Sequence, residues 1–295
     1  MIKIVLGVLG LLTIWFAAVF IKDFMNNKNN LEKDNTWGKV TSIGFVTNFF
    51  DTLGIGSFAP TTALLKGFKQ THDRVIPGTL NVSCTIPVVL EAFIFMTVIE
   101  VETVTLISML AAATIGAYVG AGIVSRLPEK VVQLTMGVAL FVTAFLMLSG
   151  QMGWMPGGGE AIGLSGAKLI FAVAGNFILG ALMTAGIGLY APCMALIYFL
   201  GMSPKVAFPI MMGSCAFLMP VASIKFVKEE AYDRRASMGI TIGGVIGVLI
   251  AAYIVKTLPL EILRWLVIGV ILYTSVTMLK AAKKTAALAQ KIAEQ

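Results

Sequence analysis

The chain has 295 residues, of which 58% are apolar and only 13% charged, with a mean hydropathy of +0.90. A soluble domain carries roughly 25% charged residues, so a soluble fold is excluded, and no stretch is long enough for a separate soluble domain. The net charge of +7 does not mark a nucleic-acid binder, because the Lys and Arg residues lie in short loops between apolar runs and at the C-terminus, the pattern of basic residues retained on the cytoplasmic side of a membrane.

The first apolar run, Ile4 to Ile21, is preceded by Lys3 and followed by Lys22, Lys28, Lys33 and Lys39. That is the reverse of the basic n-region of a signal peptide, so it reads as a retained helix with its N-terminus outside. The next segment, Val40 to Leu65, has those lysines before it and Lys66, Lys69 and Arg74 after it. Both flanks are then cytoplasmic, which a single crossing cannot satisfy. Its 26 residues are too few for two crossings of about 20 residues each. The remaining solution is a re-entrant hairpin, two half-length helices meeting at Gly54-Ile-Gly56 near the midplane, where broken backbone is tolerated if it is buried in protein or lines a cavity.

Full spans follow at 76–99, 103–124 and 131–149. The Gly-rich stretch 150–167 reads as a linker. A second hairpin over Lys168–Leu200, with its tip at Gly186-Ile-Gly188, precedes spans at 206–227, 237–255 and 260–279. On this topology only Lys3, Lys168, Lys205, Lys256 and Arg264 lie outside, which leaves 17 of the 22 Lys and Arg residues inside. Counting each hairpin as a full crossing reduces the split to 13 against 9, a poorer fit to the positive-inside rule.

An internal repeat supports the division. Shifted by 132 residues, Thr52-Leu-Gly-Ile-Gly-Ser-Phe-Ala-Pro-Thr-Thr-Ala-Leu64 meets Thr184-Ala-Gly-Ile-Gly-Leu-Tyr-Ala-Pro-Cys-Met-Ala-Leu196 with eight of thirteen positions identical. Chance in this composition gives about one or two. Pro77 pairs with Pro209 at the same shift, Asn48-Phe49 answers Asn176-Phe177, and Val124–Pro128 resembles Val255–Pro259. One hairpin plus three spans is an odd number of crossings, so the second copy must be inserted upside down. The fold predicted is an all-α polytopic membrane protein with two inverted repeats, each a re-entrant helical hairpin plus three transmembrane helices, behind one extra N-terminal helix. The divisions are 1–39, 40–149, 150–167, 168–279 and a basic cytoplasmic tail at 280–295. Inverted repeats with paired broken helices recur among secondary transporters. The competing explanation is duplicated helices whose glycines serve only close packing.

After each Gly-Ile-Gly a helix restarts with Ala59-Pro60 or Ala191-Pro192, and proline suits the first turn, where its missing N–H has no partner to lose. Unpaired N–H groups and the positive dipole end at such a start attract anions, and glycine permits close approach to the backbone. The expected substrate site uses Gly54, Ile55, Gly56, Ser57 and Thr61 of the first tip, Gly186, Ile187 and Gly188 of the second, and Asn81 of the following span. Thr62 stands beside them. Asp51 is the only acid beside either tip, its counterpart being Met183; Glu91 is the other acid in mid-span. Either could carry a coupling proton, and either could instead be a structural carboxyl bonded to the broken backbone. No cofactor or metal is expected: Cys84, Cys193 and Cys215 show no CxxC spacing, and the 16 methionines scatter as packing residues. The one histidine, His72, reads as a solvated loop residue.

The stretch Thr47-Asn-Phe-Phe-Asp-Thr-Leu-Gly-Ile-Gly-Ser-Phe-Ala-Pro60, its echo Gly186-Ile-Gly-Leu-Tyr-Ala-Pro192, and Ile76-Pro-Gly-Thr-Leu-Asn81 resemble the sulfite exporter TauE/SafE family. The resemblance covers essentially the whole chain from residue 40, although Ser57 and Leu189 stand where the family often has a further glycine. It implies a plasma-membrane transporter of sulfite, sulfoacetate or a related sulfur-containing anion, coupled to protons and compatible with a homo-oligomer. An anion channel stays open as the alternative, since re-entrant hairpins also line channels. An intramembrane protease is not supported: there is no HExxH, no histidine within the spans, and Ser57, not Asp, follows the Gly-Ile-Gly.

Overall fold

The computed structural model describes residues 2–95, 101–154, 159–253 and 260–293. The ends of the spans expected at 76–99 and 237–255, part of the 150–167 linker, the end of the tail, and Val255–Pro259 with Lys256 lie outside those residues. Among the described residues the regular structure is helical, and seven helices are long and apolar enough to cross a membrane.

The helices are α1 (Ile2–Asn26), α2 (Trp37–Thr52), α3 (Phe58–Gly67), α4 (Ile76–Phe95), α5 (Thr103–Val124), α6 (Glu129–Gln151), α7 (Gly166–Met183), α8 (Tyr190–Phe199), α9 (Pro204–Lys228), α10 (Arg234–Tyr253) and α11 (Leu260–Ala293). The described boundaries agree with the expected spans to within a few residues, except that α11 runs on to Ala293, 14 residues past the expected end at 279 and through most of the stretch expected as a tail. The helical pattern breaks at both Gly-Ile-Gly sequences. Gly54, Gly56 and Gly186 adopt φ of 86°, 90° and 92°, a left-handed region that costs other residues about 1–2 kcal/mol. The helices that restart, α3 and α8, are 10 residues each, or about 15 Å, half the hydrocarbon thickness.

After α1 the order long, short, long, long, long occurs twice, and the packing follows it. Helix α2 packs on α10 while α7 packs on α5; α3 touches α11 while α8 touches α6; α4 meets α9 and α6 meets α11. Exchanging the two sets of five helices maps these contacts onto one another. The α2–α10 and α5–α7 seams are built on glycine, as close helix packing in a membrane requires. A side chain at Gly44 would collide with the Ile240 backbone, and one at Gly243 with the Thr41 carbonyl. Likewise Gly116 lies against Phe177 and Gly180 against Ala113. Pro87, inside α4, leaves the Ser83 carbonyl without its helical N–H; Thr241 of α10 supplies the missing hydrogen at 2.9 Å.

Polar loops gather at two separate places. At one, the Thr36 N–H donates to Gln70 (3.1 Å), Asn35 and Thr71 both donate to Asp233 (2.9 and 3.0 Å), and Arg126 pairs with Glu229 at 2.7 Å. The residues before α2 and after α3 therefore lie together. At the other, the Glu102 N–H donates to the Ile162 carbonyl (2.9 Å), and Lys168, at the start of α7, donates to the carbonyl of Leu200 just past α8 (3.2 Å).

Candidate functional site

The first turn of a helix has N–H groups with no carbonyl one turn back. In α3 these belong to Ser57, Phe58 and Ala59, since Pro60 has none; in α8 they belong to Leu189, Tyr190 and Ala191, ahead of Pro192. Both helix starts line one small cavity. Gly56, Ser57, Phe58 and Ala59 line it from the first break, and Gly188, Leu189, Tyr190 and Ala191 from the second. The cavity measures about 40 Å³ and is mostly apolar, its other lining residues including Val88, Met147, Met183 and Ile271. That is room for about three waters.

Asp51, in the last turn of α2, also lines the cavity. The backbone N–H and the hydroxyl of Ser57 lie beside its carboxyl, whose Oδ1 has no hydrogen-bond partner. The Thr143 hydroxyl on α6 is the other unpartnered polar atom on the wall. Glu91 is fully buried behind the cavity and reaches both tips. Thr52 Oγ1 of the first tip lies 2.8 Å from Glu91 Oε1, and the Tyr190 hydroxyl of the second donates to Glu91 Oε2 at 3.3 Å.

Most of the remaining expected residues surround the tips without lining the cavity. Asn81 donates to the Pro77 carbonyl (2.9 Å) and reaches the Thr184 carbonyl at the second break (3.5 Å). Thr61 donates to Thr47 (2.9 Å), which donates to Ile43. Thr62 turns back to Phe58. Gly54 and Gly186 make the turns, and any side chain at Gly186 would strike Met136 Cε at 2.7 Å. Ile187 is half-buried beside Gly188, and Ile55 lines the cavity. Of the expected set, Asp51, Ile55, Gly56, Ser57 and Gly188 thus meet at one place.

Sequence reasoning did not single out Tyr190, Thr143 or Cys215 as wall residues. Tyr190 had a legible signal, since it brings a hydroxyl beside the second tip where the repeat has Phe58. Thr143 and Cys215 had none, because helix rotation decides which face of α6 or α9 meets the tips. Among the described residues, no cluster of three His, Cys, Asp or Glu side chains could hold a metal ion.

A family model described as Sulfite exporter TauE/SafE matches residues 1–147 and 168–294. Neither the curated proteins nor the solved structures yielded a match.

Proposed function

The chain belongs to the sulfite exporter TauE/SafE family, and from that premise we propose that it is a secondary transporter of a small anion such as sulfite, held between the two Gly-Ile-Gly tips. The observation that carries the reading is the cavity that the starts of two helices line together. Each N-terminus concentrates a partial positive charge worth about 0.3–2 kcal/mol to an anion. Two of them can hold one without a buried Arg or Lys. The backbone N–H groups orient the oxygens, and the apolar walls exclude water.

The two halves, 40–149 and 168–279, act as inverted repeats with re-entrant hairpins. In support, the ends of the first hairpin share hydrogen bonds at one polar cluster and the ends of the second at the other. A hairpin that enters and leaves on one side, opposed by a twin from the other side, lets each tip be exposed in turn, as alternating access requires. The basic loops place the first hairpin's open end in the cytoplasm of a cell with the protein in its plasma membrane.

Asp51 supplies the coupling. An ionised Asp51 occupies the positive end of α3 and repels a second anion in so small a space. Anion binding therefore requires a proton on Asp51, and the two travel together. Proteoliposome flux tests the carrier reading. Saturable sulfite uptake with accelerated counter-transport is the expected result, and rapid unsaturated conductance would make the protein a channel instead.

A further inference from the structure

Two acids lie at the tips, and their hydrogen-bond partners differ in kind. The Thr52 hydroxyl has one hydrogen to give. It sits 2.9 Å from the Asn48 carbonyl, one turn back, and 2.8 Å from Glu91 Oε1. The carbonyl can only accept. If Glu91 is a carboxylate it can only accept as well, and one of the two short contacts then has no hydrogen in it. If Glu91 is a neutral acid, its O–H donates to Thr52 Oγ1, Thr52 donates to Asn48, and every contact is filled. Thr47 shows the same chain with a hydroxyl in place of the acid: Thr61 donates to Thr47 at 2.9 Å, and Thr47 donates to the Ile43 carbonyl at 2.9 Å.

The surroundings point the same way. Glu91 is inaccessible to solvent and does not line the cavity. The ionisable groups that face it are Asp51 from α2, Tyr190 from α8, Cys84 from its own helix and Cys215 from α9, none of them a cation. A carboxylate there would be buried without a counter-charge, at a cost of several kcal/mol. Asp51 is also buried and faces no cation, but it lines the cavity, and beside it lie the Ser57 N–H, which can only donate, and the Ser57 hydroxyl.

We infer that Glu91 holds a fixed proton and serves as a neutral strap between the tips, donating to Thr52 on the first and accepting from Tyr190 on the second. Glu91 is a positioning residue: it sets the distance between the two helix N-termini across the cavity. Asp51 is then the acid whose proton exchanges. That last assignment rests on the transport reading above, whereas the proton on Glu91 does not.

Infrared spectroscopy of the purified protein reads the proton directly, through the C=O stretch of a buried carboxylic acid and its shift in D2O. The wild type is expected to show such a band at neutral pH, Asp51→Asn to keep it, and Glu91→Gln to lose it. Glutamine can donate to Thr52 and accept from Tyr190, so Glu91→Gln is also expected to stay folded. Absence of the band from the wild type, or its survival in Glu91→Gln, would overturn the inference, and neither result depends on transport. If Glu91→Gln does not fold, Thr52→Val decides: removing the acceptor must move the band to higher frequency, and an unmoved band overturns the strap.

Discussion

Replacing Gly188 by leucine places four carbon atoms in the cavity proposed to hold the anion. Gly188 lines the cavity, a Cβ built on it meets no atom within 4 Å, and its φ lies outside the left-handed region. The side chain therefore enters open space without straining the backbone. The cavity of about 40 Å³ takes about three waters, close to the bulk of a four-atom oxyanion, so leucine and anion compete for one volume. Losing both helix-end contacts, each about 0.3–2 kcal/mol, together with the space itself, is expected to weaken sulfite binding by at least about 100-fold, or ~2.8 kcal/mol. The assay is calorimetric or thermal-shift titration of the purified protein, with melting unchanged in the absence of ligand. Gly56→Leu is the poorer probe, because φ of 90° strains any side chain there and lowers stability along with binding. Wild-type affinity in a folded Gly188→Leu protein would refute the tip site.

Gly243→Ala pushes a methyl into the Thr41 carbonyl across the α2–α10 seam. Overpacking of this kind costs about 1–3 kcal/mol and is expected to lower the melting temperature in detergent, whereas Gly38→Ala, with open space around it, leaves it unmoved. Asp233 caps α10 outside the membrane, and burial pushes its carboxyl up to about 6, the Ala236 N–H opposing and Glu32 adding to the rise. The folded state thus holds a proton that the unfolded chain releases near its ordinary value of 3.8. Stability is expected to fall as pH rises from about 4 to about 6, by up to roughly 3 kcal/mol. In Asp233→Asn the melting temperature should lose that slope, and an unchanged profile would contradict it. Asp51→Asn should abolish the pH dependence of sulfite uptake in proteoliposomes while leaving anion binding largely intact; a wild-type pH profile would remove Asp51 from the coupling.

The spans were legible because a membrane imposes length and apolarity on each crossing. The breaks at residues 53–57 and 184–189 were legible because glycine repeated at a fixed distance from proline has a backbone cause. What escaped was rotational. Helix α6 is apolar on every side that meets lipid or protein, so nothing in its pattern says that Thr143 faces the tips while Gln133 reaches the polar cluster through Asp73. The proposed division of labour between Asp51 and Glu91 was equally hidden. It depends on which hydroxyls surround each acid, and Tyr190, 99 residues away in sequence from Glu91, enters only through the packing of one half on the other.

The central claim is that an anion sits between the starts of α3 and α8. Selenite replaces sulfite with a heavier atom of the same geometry, and a crystal structure with selenite bound would locate it by anomalous scattering. The account predicts one peak within hydrogen-bonding reach of the Phe58, Ala59, Tyr190 and Ala191 N–H groups. A bound selenite elsewhere in the protein, with that cavity empty, would contradict it.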